Sequence, residues 1–312
     1  MTSRMEERTT TDTRPLISIV IPSLNQGRFL AEMLQSIADQ DYPRTECIVI
    51  DGGSTDETRE VLRAHGDLIT YWVSEPDRGQ SHAINKGFAR CTGDIIAFSQ
   101  ADDRYEPGAF IDVAARYAGH PDAGVFAGAF RFIDGQSLSV GGVNAAYLRA
   151  SSPLDMTLGP PGLYRIHQVA TFYSRTALQN AGMHVREDLS YVMDRELLYR
   201  VAKRAPVVIS PKVYGAFRRH AGSKSGTRDL SFALEFASLY RGKKGGTMVD
   251  HWKRNRMARY RTAVGRLDAA KGESTRARSW GQAIRAVILY PSLLWTWSFL
   301  SVLRRGGGRT ED

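Results

Sequence analysis

The sequence predicts an α/β protein: a doubly wound, mostly parallel sheet with helices on both faces and a helical C-terminal extension. Short apolar runs rich in β-branched residues recur at 17–21, 46–50, 69–73 and 94–99, the pattern of strands buried on both faces. Segments with apolar residues at helical spacing separate them. Polar and acidic turn residues follow the first, second and fourth runs, where open sheets of this kind bind ligands.

The elements follow in order. The run 17–21 is closed by Pro22, and Leu30, Met33, Leu34 and Ile37 then mark a helix over 29–39. The strand 46–50 completes a β-α-β unit. Ser54-Thr55-Asp56-Glu57 reads as a capping box opening a helix through about His65, followed by the strand 69–73. A helix around 82–90 leads into the strand 94–99. The pattern is helical from 105 to 120, and 124–133 with Asp134-Gly135 reads as a hairpin feature. Pro153, Gly159, Pro160, Pro161 and Gly162 mark a loop over 150–165, and helices are expected at 174–181, 192–204 and 249–270.

A chain of 312 residues suits one large α/β domain with additions, or two lobes. The expected division is a loose tail (1–14), a main α/β domain (15–225) in two halves (15–104 and 105–225), a basic helical extension (226–282), and an apolar, membrane-interfacial helix (283–305). The formal net charge is +9, with much of the excess in Arg218, Arg219, Lys224, Arg228, Arg241, Lys243, Lys244 and the run 253–261. Nucleotide phosphates and an anionic membrane surface are the expected partners. Nucleic acid is not, because these residues are not interleaved with an aromatic stacking platform and no zinc-finger, helix-turn-helix or RNP pattern is present. Cys47 and Cys91 read as free thiols in a reducing cytoplasm. The first fourteen residues lack the apolar core of a signal peptide, so a cytoplasmic location at the inner face of the cell membrane is expected.

The candidate chemistry lies where turn residues follow strands: Ser23-Leu24-Asn25, Asp51-Gly52-Gly53-Ser54-Thr55-Asp56 and Gln100-Ala101-Asp102-Asp103. Together with Glu75-Pro76-Asp77-Arg78-Gly79, Asn85-Lys86-Gly87 and Gly93-Asp94, they resemble family-2 glycosyltransferases of the GT-A fold over roughly residues 16 to 220. The resemblance implies an enzyme that transfers a sugar, with inversion, from a nucleotide diphosphate donor, a UDP-sugar favoured, to an acceptor hydroxyl.

Asp102 corresponds to the last acid of that family's D-x-D motif and is expected to hold Mn²⁺ or Mg²⁺ against the diphosphate. Asp102 and Asp103 equally suit the cap of a helix starting near Glu106. Gln100 stands where the motif's first acid usually sits; its amide can reach a ribose hydroxyl or a metal-bound water, but contributes no charge. His220 resembles the C-terminal histidine that completes the metal site in several such enzymes; a solvated surface residue is the other reading. Asp51 is expected to line the nucleobase pocket, although Gly52 occupies the position where many relatives carry a second acid. Pro22, Ser23 and Asn25 are expected around the base, and Gln100 and Asp103 are grouped with the donor-binding residues. Arg78 is expected at the diphosphate, or in an ion-paired turn. Asp194, in Met193-Asp194-Arg195-Glu196-Leu197, resembles the leading acid of the family's acceptor helix and is the expected general base, a role compatible with capping that helix. Glu187 and Asp188 are the fallback. His167 and Gln168 are expected in the acceptor pocket, or as a satisfied interior pair.

A nucleotidyltransferase would want a glycine- and lysine-rich phosphate loop after the first strand, and a dinucleotide-dependent dehydrogenase G-x-G-x-x-G; Ser23 to Arg28 is neither. A non-catalytic sugar-nucleotide-binding or assembly subunit is the alternative that Gln100 and Gly52 keep open. The segment 286–303 is apolar and flanked by Arg285, Arg304 and Arg305, but at eighteen residues, with Pro291 inside, it is short for a span of roughly 20. Tyr290, Trp295 and Trp297 suit a headgroup boundary. Peripheral membrane contact and a lipid-linked saccharide acceptor, as in envelope polysaccharide assembly, are the corresponding expectations; packing on the catalytic domain is the other reading.

Overall fold

The computed structural model describes residues 12–141, 166–220, 222–223 and Glu235. The expected loop over 150–165, the helix at 249–270, the interfacial helix, and the basic extension apart from Glu235 lie outside the described residues.

The elements are β1 (Ile17–Ser23), α1 (Gly27–Ala38), β2 (Thr45–Asp51), α2 (Thr58–Ala64), β3 (Tyr71–Ser74), α3 (Gln80–Phe88), β4 (Ile95–Phe98), β5 (Arg104–Tyr105), α4 (Ala109–Gly119), β6 (Val125–Ile133), β7 (Thr171–Ser174), α5 (Arg175–Asn180), α6 (Met193–Ala202) and β8 (Val207–Arg218). They build one eight-stranded sheet in the order β3-β2-β1-β4-β7-β6-β8-β5. β3, β2, β1 and β4 run parallel. β7 is antiparallel to both β4 and β6, β8 is parallel to β6, and β5 is antiparallel to β8.

Both faces are covered, as the continuous apolar strands require. Ile17, Ile19 and Ile21 of β1 point into one core with Leu30, Met33, Leu34 and Ile37 of α1 and Phe110 and Val113 of α4. Val20, Ile48 and Ile50 point into the other, with Ala83, Ile84 and Phe88 of α3, Leu178 of α5, and Leu197, Leu198 and Val201 of α6. The alternation of successive side chains across each strand sorts these sets.

Three expectations are revised. α4 begins at Ala109, not near Glu106, because Arg104 and Tyr105 pair with β8 and Gly108 (φ +72°) turns the chain. Ser54 does not cap α2: its hydroxyl serves Asp51 and Asn25, and no side chain caps that helix at Glu57. β8 is not evident in the sequence, because Pro211 and Lys212 interrupt its apolar pattern. The structure absorbs the interruption in a bulge: Ala127 pairs with Ile209 and Ala129 with Val213, so the single residue Gly128 of β6 stands opposite three of β8, Ser210 to Lys212.

Gly128 lies in this irregular stretch against Tyr214, whose buried hydroxyl donates to Asp112 Oδ2 of α4 at 2.6 Å. A Cβ at 128 would overlap the Tyr214 ring. Gly128→Ala is therefore expected to destabilise the protein by about 1–3 kcal/mol, the usual scale of overpacking. The midpoint of urea unfolding checks this; an unchanged midpoint would show that the two strands are not so closely packed.

Candidate active site

The carboxyl ends of β1, β2 and β4 form one edge, and the end of β8 arrives beside them. The key contact joins residues 118 apart in sequence: His220 Nε2 donates to Asp102 Oδ2 at 2.9 Å. The two side chains are 16% and 14% exposed, so the pair remains reachable from solvent. A carboxylate oxygen and an imidazole nitrogen converging in this way are a suitable donor set for a divalent cation. Among the described residues no third His, Cys, Asp or Glu joins them. Remaining positions on a cation would fall to donor oxygens and water.

Arg218 places this pair. Its side chain is 0% exposed, and its Nε donates to the Asp102 carbonyl at 2.6 Å. The other nitrogens reach Asp134 O (3.0 Å), Ser137 Oγ (2.7 Å) and Glu32 Oε2 (2.6 Å). The Phe29 ring packs against both the Arg218 guanidinium and the His220 ring, with centres 4.8 Å away in each case. Asp103 turns inward, fully buried, and accepts from the Arg218 backbone N–H at 3.0 Å. Burial and the adjacent Asp102 charge raise its carboxyl well above the usual range. Neither Asp102 nor Asp103 caps α4; the residue before that helix is Gly108.

The loops after β1 and β2 are stitched together. Asp51 is fully buried, accepting from Ser54 N at 2.9 Å, from Ser74 Oγ at 2.6 Å and from the Ser54 hydroxyl. Asn25, at φ +51°, donates its N–H to Ser54 Oγ (2.7 Å) and accepts from Thr55 N (2.9 Å). Asp56 accepts from the N–H of Gly27 at the start of α1 and from Thr58. Pro22 is buried inside β1, and the buried Ser23 hydroxyl has no hydrogen-bond partner among the described residues. A Cβ at Gly52 would come within 2.8 Å of Asp77 Oδ2. Asp77, to which the sequence assigned no role, thus carries its carboxylate beside position 52. Arg78 is 70% exposed and donates to Glu187 Oε2 at 2.9 Å, an ion pair to a distant loop rather than one within the turn 75–79.

Three amides cross the floor between the two halves. Gln80 Nε2 donates to Gln100 Oε1, Gln100 Nε2 to Gln168 Oε1 at 3.4 Å, and Gln168 Nε2 to the Phe98 carbonyl. His167 beside them is buried against Phe217 and Phe130, with ring centres 4.3 and 4.9 Å away. Its ring accepts from Val169 N at 3.4 Å. Burial, aided by the charges of Arg195 and Arg219, lowers its pKa to about 3. It is therefore a neutral interior imidazole at ordinary pH.

Asp194 is the second residue of α6; the cap position is Val192, with no side-chain cap. Burial raises the Asp194 carboxyl above its usual range, against the pull of Arg195, whose Nε lies 3.8 Å from Oδ2. A carboxylate with increased proton affinity is suited to accept a proton. Glu187 and Asp188 are instead committed to Arg78 with Asn85 and to Arg186, respectively. Cys47 and Cys91 are free and buried, and burial pushes both thiols up to about 12, outside nucleophilic use.

The fold thus brings Asp102 and His220 together, links Gln100 to Gln168, and leaves Arg78 on the surface and Asp103 inside. Sequence reasoning missed Arg218, Asp77 and Gln80. Arg218 appeared only within a basic run, and nothing local distinguished it from its neighbours.

Comparison with known proteins agrees with this architecture. A profile described as Glycosyl transferase family 2 matches residues 18–182. An uncharacterized glycosyltransferase of Rickettsia prowazekii is 28% identical over 231 residues, 73% of this chain and 71% of that protein. A putative teichuronic acid biosynthesis glycosyltransferase of Bacillus subtilis is 32% identical over 99 residues, 31% of this chain and 39% of that protein. Staphylococcus aureus TarS 1-349 in complex with UDP-GlcNAc shares the fold, with a TM-score of 0.62 at 16% identity, covering 87% of this chain and 79% of that one. The mannosyltransferase PcManGT of Pyrobaculum calidifontis, in complex with GDP-Man and Mn²⁺, gives 0.59 at 20% identity, covering 94% and 86%. The family match spans more than half of the chain, and with the sheet described above it identifies a GT-A-fold enzyme: the chain belongs to glycosyltransferase family 2.

Proposed function

We propose that the protein transfers a sugar with inversion from a nucleotide diphosphate sugar, a UDP-sugar favoured, to an acceptor hydroxyl of a lipid-linked saccharide in envelope polysaccharide assembly. The observation that carries the catalytic reading is the Asp102–His220 pair at the carboxyl edge of the sheet. The teichuronic acid protein of Bacillus subtilis and the UDP-GlcNAc complex of TarS support the donor and acceptor classes.

Asp102 and His220 would hold Mn²⁺ or Mg²⁺, and the cation would offset the charge that grows on the diphosphate as the glycosidic bond breaks. The nucleoside lies over the stitched loops of β1 and β2, with Ser23 Oγ and Asp77 as available polar contacts and Asp51 holding the loop beneath. Arg78 can exchange Glu187 for a diphosphate oxygen because both are exposed. Gln100 and Gln168 fix the floor between donor and acceptor. Asp194 takes the proton of the acceptor hydroxyl as its oxygen attacks the anomeric carbon from the face opposite the leaving diphosphate.

Among the described residues no helix is long and apolar enough to cross a membrane. The placement at the inner membrane face rests on the apolar segment 286–303 and its flanking arginines, which lie outside the described residues. Full-length protein is expected to sediment with anionic liposomes and a chain lacking 283–312 to remain in solution; a full-length protein left in the supernatant without detergent rules this placement out.

Asp102→Asn is expected to abolish metal-dependent turnover and weaken Mn²⁺ binding in calorimetry, while the circular dichroism spectrum stays unchanged. Retained activity would remove Asp102 from the metal site. Asp194→Asn is expected to lower transfer by at least ~10²-fold with donor binding nearly intact, the usual scale for a lost general base. Because the Asp194 carboxyl is raised, its base form is lost as pH falls through a value above the ordinary aspartate range, so the acid limb of the kcat profile should lie there. A parallel loss of donor affinity would instead assign Asp194 to the donor or to the fold.

A further inference from the structure

Three consecutive backbone N–H groups immediately before α6, those of Ser190, Tyr191 and Val192, donate to the carboxylate of Glu235 at 2.7, 2.6 and 2.9 Å. Successive N–H groups aimed at one point form a concave anion site. Here it coincides with the positive end of a helix dipole. The chain fills the site itself, with a residue 43 to 45 positions further on. Asp194 follows Val192 by two residues. The opposite side of the same loop is held by α3: Ser81 Oγ donates to Leu189 O at 3.0 Å, and Asn85 Nδ2 to Val185 O at 3.0 Å. Nucleotide-side and C-terminal contacts thus grip one short loop from opposite directions.

We propose that Glu235 is a positioning residue for catalysis: its carboxylate latches the N–H groups of 190–192 and so fixes the first turn of α6 with Asp194 in place. This rests on the reading of Asp194 as the base. A carboxylate is suited to the task because its two oxygens can share three donors, and its charge favours the amide dipoles. The same charge acts on Asp194. Among the described residues, the charged and titratable groups that act on that carboxyl include Arg195, which favours its ionised form, Glu235, which opposes it, and the buried Tyr173. Glu235 therefore orients the base and adds to the burial that raises its proton affinity. Transfer becomes dependent on Glu235 being seated.

The test uses the full-length chain carrying Glu235→Gln, which preserves size but removes the charge and one acceptor oxygen. Kcat for transfer is expected to fall about tenfold with the donor Kd within about two-fold, the pattern of a displaced catalytic group. The acid limb of the kcat profile should move to lower pH, because the charge that disfavours ionised Asp194 has gone. A side chain that only stabilised the fold would not shift that limb. Wild-type kcat with an unmoved limb overturns the proposal, as does a fall in donor affinity matching the fall in kcat. Hydrogen exchange on the wild-type protein covers the case in which the variant does not fold: the amides of 190–192 must be protected although they precede the helix, and rapid exchange there overturns the latch. Asp194→Asn measured alongside separates the two readings. Retained transfer in that variant removes the base assignment and leaves the exchange result as the measure of the latch; lost transfer with an unaffected Glu235→Gln removes the latch alone.

Discussion

The closed-off guanidinium of Arg218 is the contact on which the geometry of the site depends. An ion of this size costs several kcal/mol to bury unless its donors are met. Here Nε and both terminal nitrogens are met, by Asp102 O, Asp134 O, Ser137 Oγ and Glu32 Oε2, and the Phe29 ring lies 4.8 Å away. The partners come from the loop after β4, the turn after β6, and α1. A planar fork can tie three such segments at fixed angles, which a lysine could not. Because Arg218 ends β8, the position of His220 two residues later is set against the same carbonyl that sets Asp102. Removal of one partner from a buried pair typically costs about 3–5 kcal/mol, and here the loss would fall on the edge that carries Asp102 and His220.

The same network sets the charge at that edge. Burial raises the Glu32 carboxyl, but Ser137, Arg218 and Arg104 outweigh it and hold Glu32 below its usual range. It remains the counter-ion of Arg218. Asp103 is driven the other way, toward its neutral form, by burial and by Asp102. Of the two carboxyls only that of Asp102 is reachable from solvent, beside His220, while Asp103 is closed off. A cation held here would be attracted mainly by Asp102 and by the diphosphate itself, which ties its affinity to the presence of donor.

The parallel half of the fold was legible in the sequence because its signal is local: continuous apolar strands, amphipathic helices, and turn residues at one end. Asp102 and His220 were legible as separate motif positions, and only the fold shows them 2.9 Å apart. β8 was hidden, since Pro211 and Lys212 break its pattern and its strand identity comes from pairing with β6 through a bulge. Arg218 was hidden for a similar reason. It stands in a basic run, where an arginine is ordinarily solvated. Glu235 carried no local signal at all; its role is defined by N–H groups more than forty positions away.

The absent acid at position 100 is intelligible from the direction of the amide chain. The Phe98 carbonyl can only accept, so Gln168 must turn its Nε2 toward it and its Oε1 toward Gln100. Gln100 must then offer a donor to Gln168, which leaves its own Oε1 to accept from Gln80. An ionised acid at position 100 has no proton to offer, and it would set its charge against the Gln168 oxygen. Glutamine at 100 and glutamine at 168 are thus a matched pair, polarised from a single backbone carbonyl. At Gly52 the nearest atoms belong to the Asp77 carboxylate, the movable end of a side chain, so the constraint that excludes an acid is specific to position 100, where the amide chain requires a donor that an ionised carboxylate does not have.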